Sequence, residues 1–102
     1  MNPNYSIINA AFVLKSEASI LISDLSIQRG FGIFDYFRTI NFKSVFLDDH
    51  LSRFYFSASE MFMAIGYSRS DLGQLIQGLI DKNEVPDSGI RITLTGGYSE
   101  DG

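Results

Sequence analysis

The apolar positions of the chain change period along its length, and each period predicts a different element. Two short β-prone runs, at residues 5–8 and 11–14, flank the pair Asn9-Ala10. This pair is typical of a tight hairpin, because Asn tolerates a positive φ. Residues 33–40 are rich in aromatic and β-branched side chains and predict a long strand, and residues 90–95 alternate like a further strand.

The long strand predicted at 33–40 divides its side chains between two faces, because successive side chains of a strand point in opposite directions. The odd-numbered positions point one way: Ile33, Asp35, Phe37 and Thr39. The even-numbered positions point the other way: Phe34, Tyr36, Arg38 and Ile40. After a turn at 41–44, residues 45–47 predict a return strand.

A helical period begins after this hairpin. Intervals of three and four separate the members of one apolar stripe: Leu51, Phe54, Ala58, Met61 and Ile65. The stripe predicts an amphipathic helix near 49–65, with Asp48 as its N-cap and Gly66 at its end. Phe56 and Phe62 lie off the stripe, which predicts that the helix buries more than one side.

A second helix is predicted near 71–83, with Ser70 as its cap. Its apolar residues share one face: Leu72, Leu75, Ile76, Leu79 and Ile80. Strands, two helices and a final strand predict an α+β domain, in which one antiparallel sheet carries 5–14, 32–47 and 90–95 and both helices pack on one side. With 102 residues, 45% of them hydrophobic, the chain has the size and composition of a single compact domain over 1–102.

Charge and composition exclude several classes of function. The net charge is −4 and only eight Lys and Arg are present, so no nucleic-acid partner is expected. The absence of Cys and a single His, His50, argue against a metal site. No apolar run approaches the ~18 residues needed to span a membrane. A cytoplasmic protein without a membrane partner is the expectation.

Arg53 is the first candidate for chemistry, and it has two interpretations. It lies outside the stripe of the first helix, so it could form a surface ion pair with Asp49 one turn earlier. Its guanidinium could instead hold an anion such as a phosphate through parallel hydrogen bonds. Spacing alone favours the surface pair.

The remaining basic residues divide between strands and loops. Arg38 and Arg91 lie in predicted strands, where an arginine either is exposed or receives a carboxylate in a pocket, and the sequence alone favours exposure. Lys15, Lys43 and Lys82 fall in a loop, a turn and a helix end. A Schiff-base lysine should be buried with a lowered pKa, and none of these positions predicts that.

Two stretches together resemble the class IV aminotransferase family. Residues 24–35 read Asp-Leu-Ser-Ile-Gln-Arg-Gly-Phe-Gly-Ile-Phe-Asp, and residues 47–54 read Leu-Asp-Asp-His-Leu-Ser-Arg-Phe. The hallmarks of the family are a Gly-rich entry to a Phe/Tyr-Glu strand, then a turn, then His-Leu-x-Arg opening a helix. The family includes branched-chain aminotransferases, D-amino-acid aminotransferases and aminodeoxychorismate lyases, and the similarity runs from about residue 5 to 97.

The resemblance implies roles for particular residues. Arg53 occupies the place of the arginine that holds the cofactor phosphate, and Phe34 and Tyr36 match positions of the substrate pocket. Arg38 and Arg91 match strand arginines of branched-chain members.

The chain also departs from the family pattern at three positions. Asp35 replaces the usual Glu of the strand, and Arg29 stands in the pocket where branched-chain members often have Tyr. Gly96 stands where D-amino-acid members carry an arginine, which argues against that subclass.

The resemblance also implies a division of the enzyme into two domains. Residues 1–102 correspond to the N-terminal small domain, and the domain with the catalytic lysine is absent, so these residues alone are expected to be inactive. The implied enzyme uses pyridoxal 5'-phosphate, takes an amino acid and a 2-oxo acid as substrates, and is a homodimer. Two alternatives remain: an aminodeoxychorismate lyase, which catalyses a β-elimination, and a non-catalytic interaction module.

Overall fold

The computed structural model describes residues 4–25, 30 and 32–97, and in these residues it confirms the α+β class. A two-stranded and a three-stranded antiparallel sheet accompany two helices. The strands are β1 (Tyr5–Ile8), β2 (Ala11–Leu14), β3 (Gly32–Ile40), β4 (Lys43–Ser44) and β5 (Ser88–Thr95), and the helices are α1 (Leu47–Glu60) and α2 (Arg69–Asn83).

Two-residue turns close both hairpins. Asn9 and Ala10 have φ of 51° and 67°, which confirms the first predicted turn. Asn41 and Phe42, with φ of 52° and 64°, form a second turn of the same kind between β3 and β4. Two positive φ values match the twist of the flanking strands. The return strand spans Lys43–Ser44, so the prediction of a turn at 41–44 and a strand at 45–47 is wrong, and Leu47 already belongs to α1.

The core confirms the predicted faces of β3 and of both helices. On β3 the odd positions Asp35, Phe37 and Thr39 are buried, while the even positions from 34 to 40 are exposed. Both helices cover the buried face, and the residues that meet there are Phe37, Leu51, Leu72, Ile76, Ile80 and Ile90. Leu51, Phe54 and Ala58 are buried on α1, as their spacing predicted.

The strands form two sheets, whereas the sequence predicted one. The larger sheet has the order β4-β3-β5, and the β1–β2 hairpin is separate. Side chains of α2 hold this hairpin in place. Asn83 accepts from the backbone N–H of Tyr5 at 2.7 Å and donates to its carbonyl at 3.1 Å, and Lys82 Nζ lies 4.4 Å from the Tyr5 ring centroid. Side-chain contacts from α2, rather than backbone hydrogen bonds between strands, therefore hold the hairpin to the rest of the domain.

Both helix starts and the end of α1 differ from the prediction. Phe46, in the left-handed region at φ 55°, precedes α1, so Asp48 lies in the first turn and is not the cap. The helix ends at Glu60, six residues before Gly66, and Phe62 has a φ of 55°.

Two aromatic residues that lie off the stripe, Phe56 within α1 and Phe62 beyond its end, are exposed. The prediction that α1 buries a second side is therefore wrong. At α2 the cap is Ser68 rather than Ser70, and its hydroxyl accepts from Asp71 N at 3.0 Å.

Candidate functional site

A carboxylate lies on the buried face of β3, close to the strand's first residues. Asp35 is 4% exposed, and α1 covers the face to which it points. The helix presents two side chains to it, His50 and Arg53, which are three residues apart and therefore lie on the same side of the helix. The His50 ring also packs on Phe37, with 5.5 Å between the centroids.

Both oxygens of Asp35 accept hydrogen bonds. Arg53 donates from Nε to Oδ2 and from Nη2 to Oδ1, each at 2.7 Å, which is the two-point geometry typical of arginine and a carboxylate. Oδ1 also accepts from the Tyr36 backbone N–H at 2.8 Å. His50 Nδ1 lies 2.8 Å from Oδ1. Because a carboxylate only accepts, this bond requires the proton on Nδ1.

The Asp35 charge is stabilised by its neighbours. The hydrogen bond from Arg53 is the largest cause that holds the pKa of Asp35 well below its usual range, although burial acts in the opposite direction. The hydrogen bonds from His50 and Tyr36 lower the pKa further. The same pairing raises the pKa of Arg53. Asp35 and Arg53 are therefore an ion pair at neutral pH.

Arg53 is held by the sheet but remains open to solvent. Its side chain is 63% exposed, against 3% for Asp35. Its partner is Asp35 on β3 and not Asp49, the partner that spacing favoured. The pair uses Nε and one N–H of Nη2, so both N–H groups of Nη1 lie outside it. An exposed guanidinium with this free edge can bind an anion.

The opposite face of β3 carries the predicted pocket residues. Tyr36 pairs with Arg91 across β3 and β5, and the Arg91 guanidinium lies 4.0 Å from the Phe34 ring centroid. Phe34 and Arg91 line a small cavity of about 270 Å³ together with Gly30, Gly32, Ile33 and Thr93. An arginine stacked on an aromatic ring beside a hydroxyl can receive a carboxylate.

The other predicted pocket residues lie outside this cavity. The Tyr36 ring covers Gly89, where a Cβ would overlap its hydroxyl. Arg38 is exposed on the same face and pairs in register with Gly89. Arg29 lies outside the described residues. The structure thus brings Phe34 and Arg91 together, while Asp35 and Arg53 lie on the other face of the same strand.

The described lysines do not fit covalent attachment of a cofactor. Lys15, Lys43 and Lys82 are exposed, as their positions predicted. Lys82 contacts the rings of Tyr5 and Phe12 at the hairpin junction. In residues 4–25, 30 and 32–97, no helix is long and apolar enough to cross a membrane.

Comparisons with known proteins agree with this arrangement. A family profile described as amino-transferase class IV matches residues 32–102. The D-alanine aminotransferase of Staphylococcus aureus (strain N315) is 34% identical over 93 residues, which are 91% of this chain and 33% of that protein. The chain therefore spans about a third of the length of the curated relatives it matches.

Solved structures share the fold. A putative 4-amino-4-deoxychorismate lyase from Legionella pneumophila has a TM-score of 0.77 at 28% identity, over 86% of this chain and 32% of that one. The branched-chain amino acid aminotransferase of Escherichia coli has a TM-score of 0.87 at 19% identity. The match covers 94% of this chain and 33% of that chain.

Proposed function

The chain belongs to the class IV aminotransferase family, and we propose that it forms the N-terminal part of a pyridoxal-phosphate-dependent aminotransferase. The complete enzyme would move an amino group from an amino acid to a 2-oxo acid. When bound, pyridoxal phosphate supplies the electron sink for that transfer. The residues of this chain would bind and orient the cofactor and one wall of the substrate pocket.

The observation that carries this proposal is the exposed guanidinium of Arg53. A buried carboxylate fixes one edge of the guanidinium, and the other edge keeps donors for a phosphate. The planar fork of arginine suits phosphate oxygens better than the point charge of a lysine does. The resemblance of residues 50–53 to the His-Leu-x-Arg motif supports the same assignment.

Replacing Arg53 with alanine in the complete polypeptide should weaken binding of pyridoxal phosphate at least about tenfold, because charge-assisted hydrogen bonds to the phosphate are lost. The measurement is an absorbance titration of the cofactor into wild type and variant. Asp49→Ala, an exposed change one turn earlier on α1, is the control and should leave the affinity unchanged. Equal affinities for pyridoxal phosphate in wild type and Arg53→Ala would mean that Arg53 has a purely structural role.

We further propose that the lysine that binds the cofactor lies outside these 102 residues. The motivating observation is the exposure of Lys15, Lys43 and Lys82, since a reactive lysine needs burial or a cationic neighbour to lower its pKa. After mixing with pyridoxal phosphate and reduction with borohydride, residues 1–102 alone should show no stoichiometric label by mass spectrometry. Stoichiometric labelling that one Lys→Arg change abolishes would contradict this.

The amino-acid substrate is proposed to be branched-chain-like. Arg91 supports it, because it matches a strand arginine of branched-chain members and lines one cavity with Phe34, which matches the family's pocket aromatic. Gly96 supports it as well, since D-amino-acid members carry an arginine there. The similarity to D-alanine aminotransferases favours a D-amino acid instead, and the Legionella neighbour favours a lyase. Three assays of the complete enzyme distinguish these alternatives: amino transfer from L-leucine, amino transfer from D-alanine, and release of 4-aminobenzoate.

A homodimer is proposed as the assembly. Exposed apolar side chains include Ile40, Phe46, Phe56 and Phe62, and uncovered apolar surface of this kind drives association. A groove of about 610 Å³ is lined by residues of α2 and of β5, and β5 is an edge strand of the three-stranded sheet, which could pair with a second copy. Light scattering should give twice the chain mass, and a monomer at high concentration would contradict the proposal.

A further inference from the structure

Arg53 is both exposed and fixed in orientation. Its side chain is largely exposed, yet its guanidinium has a fixed orientation, because two parallel hydrogen bonds join it to a buried carboxylate. An exposed arginine without such a partner samples many rotamers, and binding a ligand then costs that freedom. The pairing with Asp35 removes this cost before any ligand binds.

The carboxylate that orients Arg53 is itself held by two further hydrogen bonds. Its own strand contributes the Tyr36 N–H, and α1 contributes His50 Nδ1. The ring of His50 is in turn held against Phe37 in the core. Arg53 Nη2 lies 3.1 Å from His50 Nδ1, but both nitrogens donate to Asp35, so this is a contact and not a hydrogen bond.

We propose that Asp35 is a positioning residue that presents the free edge of Arg53 to the phosphate of the cofactor, with His50 fixing the carboxylate. This inference rests on the proposed role of Arg53 and adds a second residue to it. Asp35 contacts no phosphate in this account and acts only through the guanidinium. Preorganised donors bind an anion more tightly than mobile ones, because the ordering is complete beforehand.

A competing account gives Asp35 the opposite effect. The carboxylate neutralises Arg53, so removal of its charge would make the site more positive and would tighten phosphate binding. Positioning predicts weaker binding after the same change. The sign of the effect of Asp35→Asn therefore decides between the two accounts, and no assumption about its size is needed.

The experiment compares pyridoxal phosphate with pyridoxal, which lacks the phosphate, in the complete polypeptide. The ratio of their dissociation constants, pyridoxal over pyridoxal phosphate, isolates the contribution of the phosphate. Asp35→Asn should reduce this ratio about five- to tenfold, and Asp35→Glu, which restores the family's usual residue, should stay within about threefold of wild type. Asp49→Asn removes the same charge from an exposed position of α1 and should leave the ratio unchanged.

A double variant tests whether Asp35 acts through Arg53. With Arg53→Ala already present, adding Asp35→Asn should change the ratio no further, because coupled residues are not additive. An unchanged or larger ratio in Asp35→Asn, or additive losses in the double variant, would overturn the positioning role. An unchanged ratio in Arg53→Ala would overturn the proposed role of Arg53 in binding the phosphate, so the two failures are distinguishable.

Far-UV circular dichroism establishes whether each variant is folded. If Asp35→Asn does not fold, Arg53→Lys is the variant to measure instead, because Arg53 is exposed and its replacement should be tolerated. Lysine keeps the positive charge but cannot form the two-point bond to Asp35. Positioning then predicts a loss of at least about fivefold in the ratio. A ratio equal to that of wild type would show that charge suffices and would overturn the proposal.

Discussion

Replacing Phe37 with alanine is expected to lower the free energy of unfolding by about 3–5 kcal/mol, the range typical of phenylalanine deletion in a closed core. Phe37 is 2% exposed and lies where β3, β5 and both helices meet. Its loss leaves a cavity among Leu51, Ile76 and Ile90 that close packing cannot fill. Domains of this size are stable by roughly 5–15 kcal/mol, so the variant would lose a large fraction of its stability.

Phe34→Ala is the matched control for this change. It removes the same side chain from the same strand, but Phe34 points to the opposite face and is 58% exposed. We expect it to cost less than about 1 kcal/mol, mainly through the lost contact with Arg91. Urea denaturation followed by circular dichroism measures both variants. Equal losses of stability would mean that the two faces of β3 are not divided as the structure shows.

The division of β3 into two faces was predictable because it follows from a period of two. Alternation alone assigned Asp35 and Phe37 to one face and Phe34 and Tyr36 to the other, and burial confirms it. The helical stripe likewise identified the buried residues of α1. Such patterns are informative because burial is repeated over several positions, so one unusual residue does not alter the period.

The ends of the elements were less predictable, because they depend on single residues in unusual conformations. Phe46 and Phe62 have positive φ values on either side of α1, and Glu84 has one directly after α2. Glycine and asparagine are the usual signals for this conformation, and a phenylalanine gives none. Gly66 offered the expected signal for a helix end, but α1 had already ended at Glu60.

The link between Asp35 and Arg53 could have been predicted from the sequence, but only by joining two separate observations. Alternation placed a lone carboxylate on the inner face of β3, where it needs a partner. The spacing of three between His50 and Arg53 placed both on one side of α1. Spacing within the helix favoured Asp49 as the partner of Arg53, because it relates only residues of the same helix. A buried charge, by contrast, takes its partner from whichever element covers it.

Adjacent residues of β3 serve different purposes in this arrangement. Phe34 faces the cavity that Arg91 lines, and Asp35 faces the helix that carries Arg53. A strand that alternates can support a substrate wall on one face and an anion clamp on the other with no loop between them. A change in the strand's register would therefore displace both groups together, so the proposed substrate wall and the proposed phosphate clamp would depend on one rigid element.

Asp35→Asn is expected to lower the free energy of unfolding at neutral pH by about 2 kcal/mol, because the hydrogen bonds to a charged acceptor become weaker. This loss is in the lower half of the range usual for hydrogen bonds to charged groups, because Arg53 is open to solvent and water screens its attraction to Asp35. Urea midpoints of wild type and variant, measured from neutral to acidic pH, give the difference at each pH.

This difference in stability should depend on pH with a definite sign. The folded protein holds the pKa of Asp35 below its unfolded value of about 3.9, so the stabilisation is complete above that pH. It is lost as the pH falls below about 4 toward the folded pKa, because the unfolded chain then binds a proton that the folded one does not. The asparagine variant carries no proton to gain there, so the two stability curves should converge in acid. Asp49→Asn, an exposed change on α1, is the control, and its stability curve should run parallel to that of wild type. A constant difference in the free energy of unfolding between wild type and Asp35→Asn across the acidic range would mean that the carboxylate charge does not stabilise the fold.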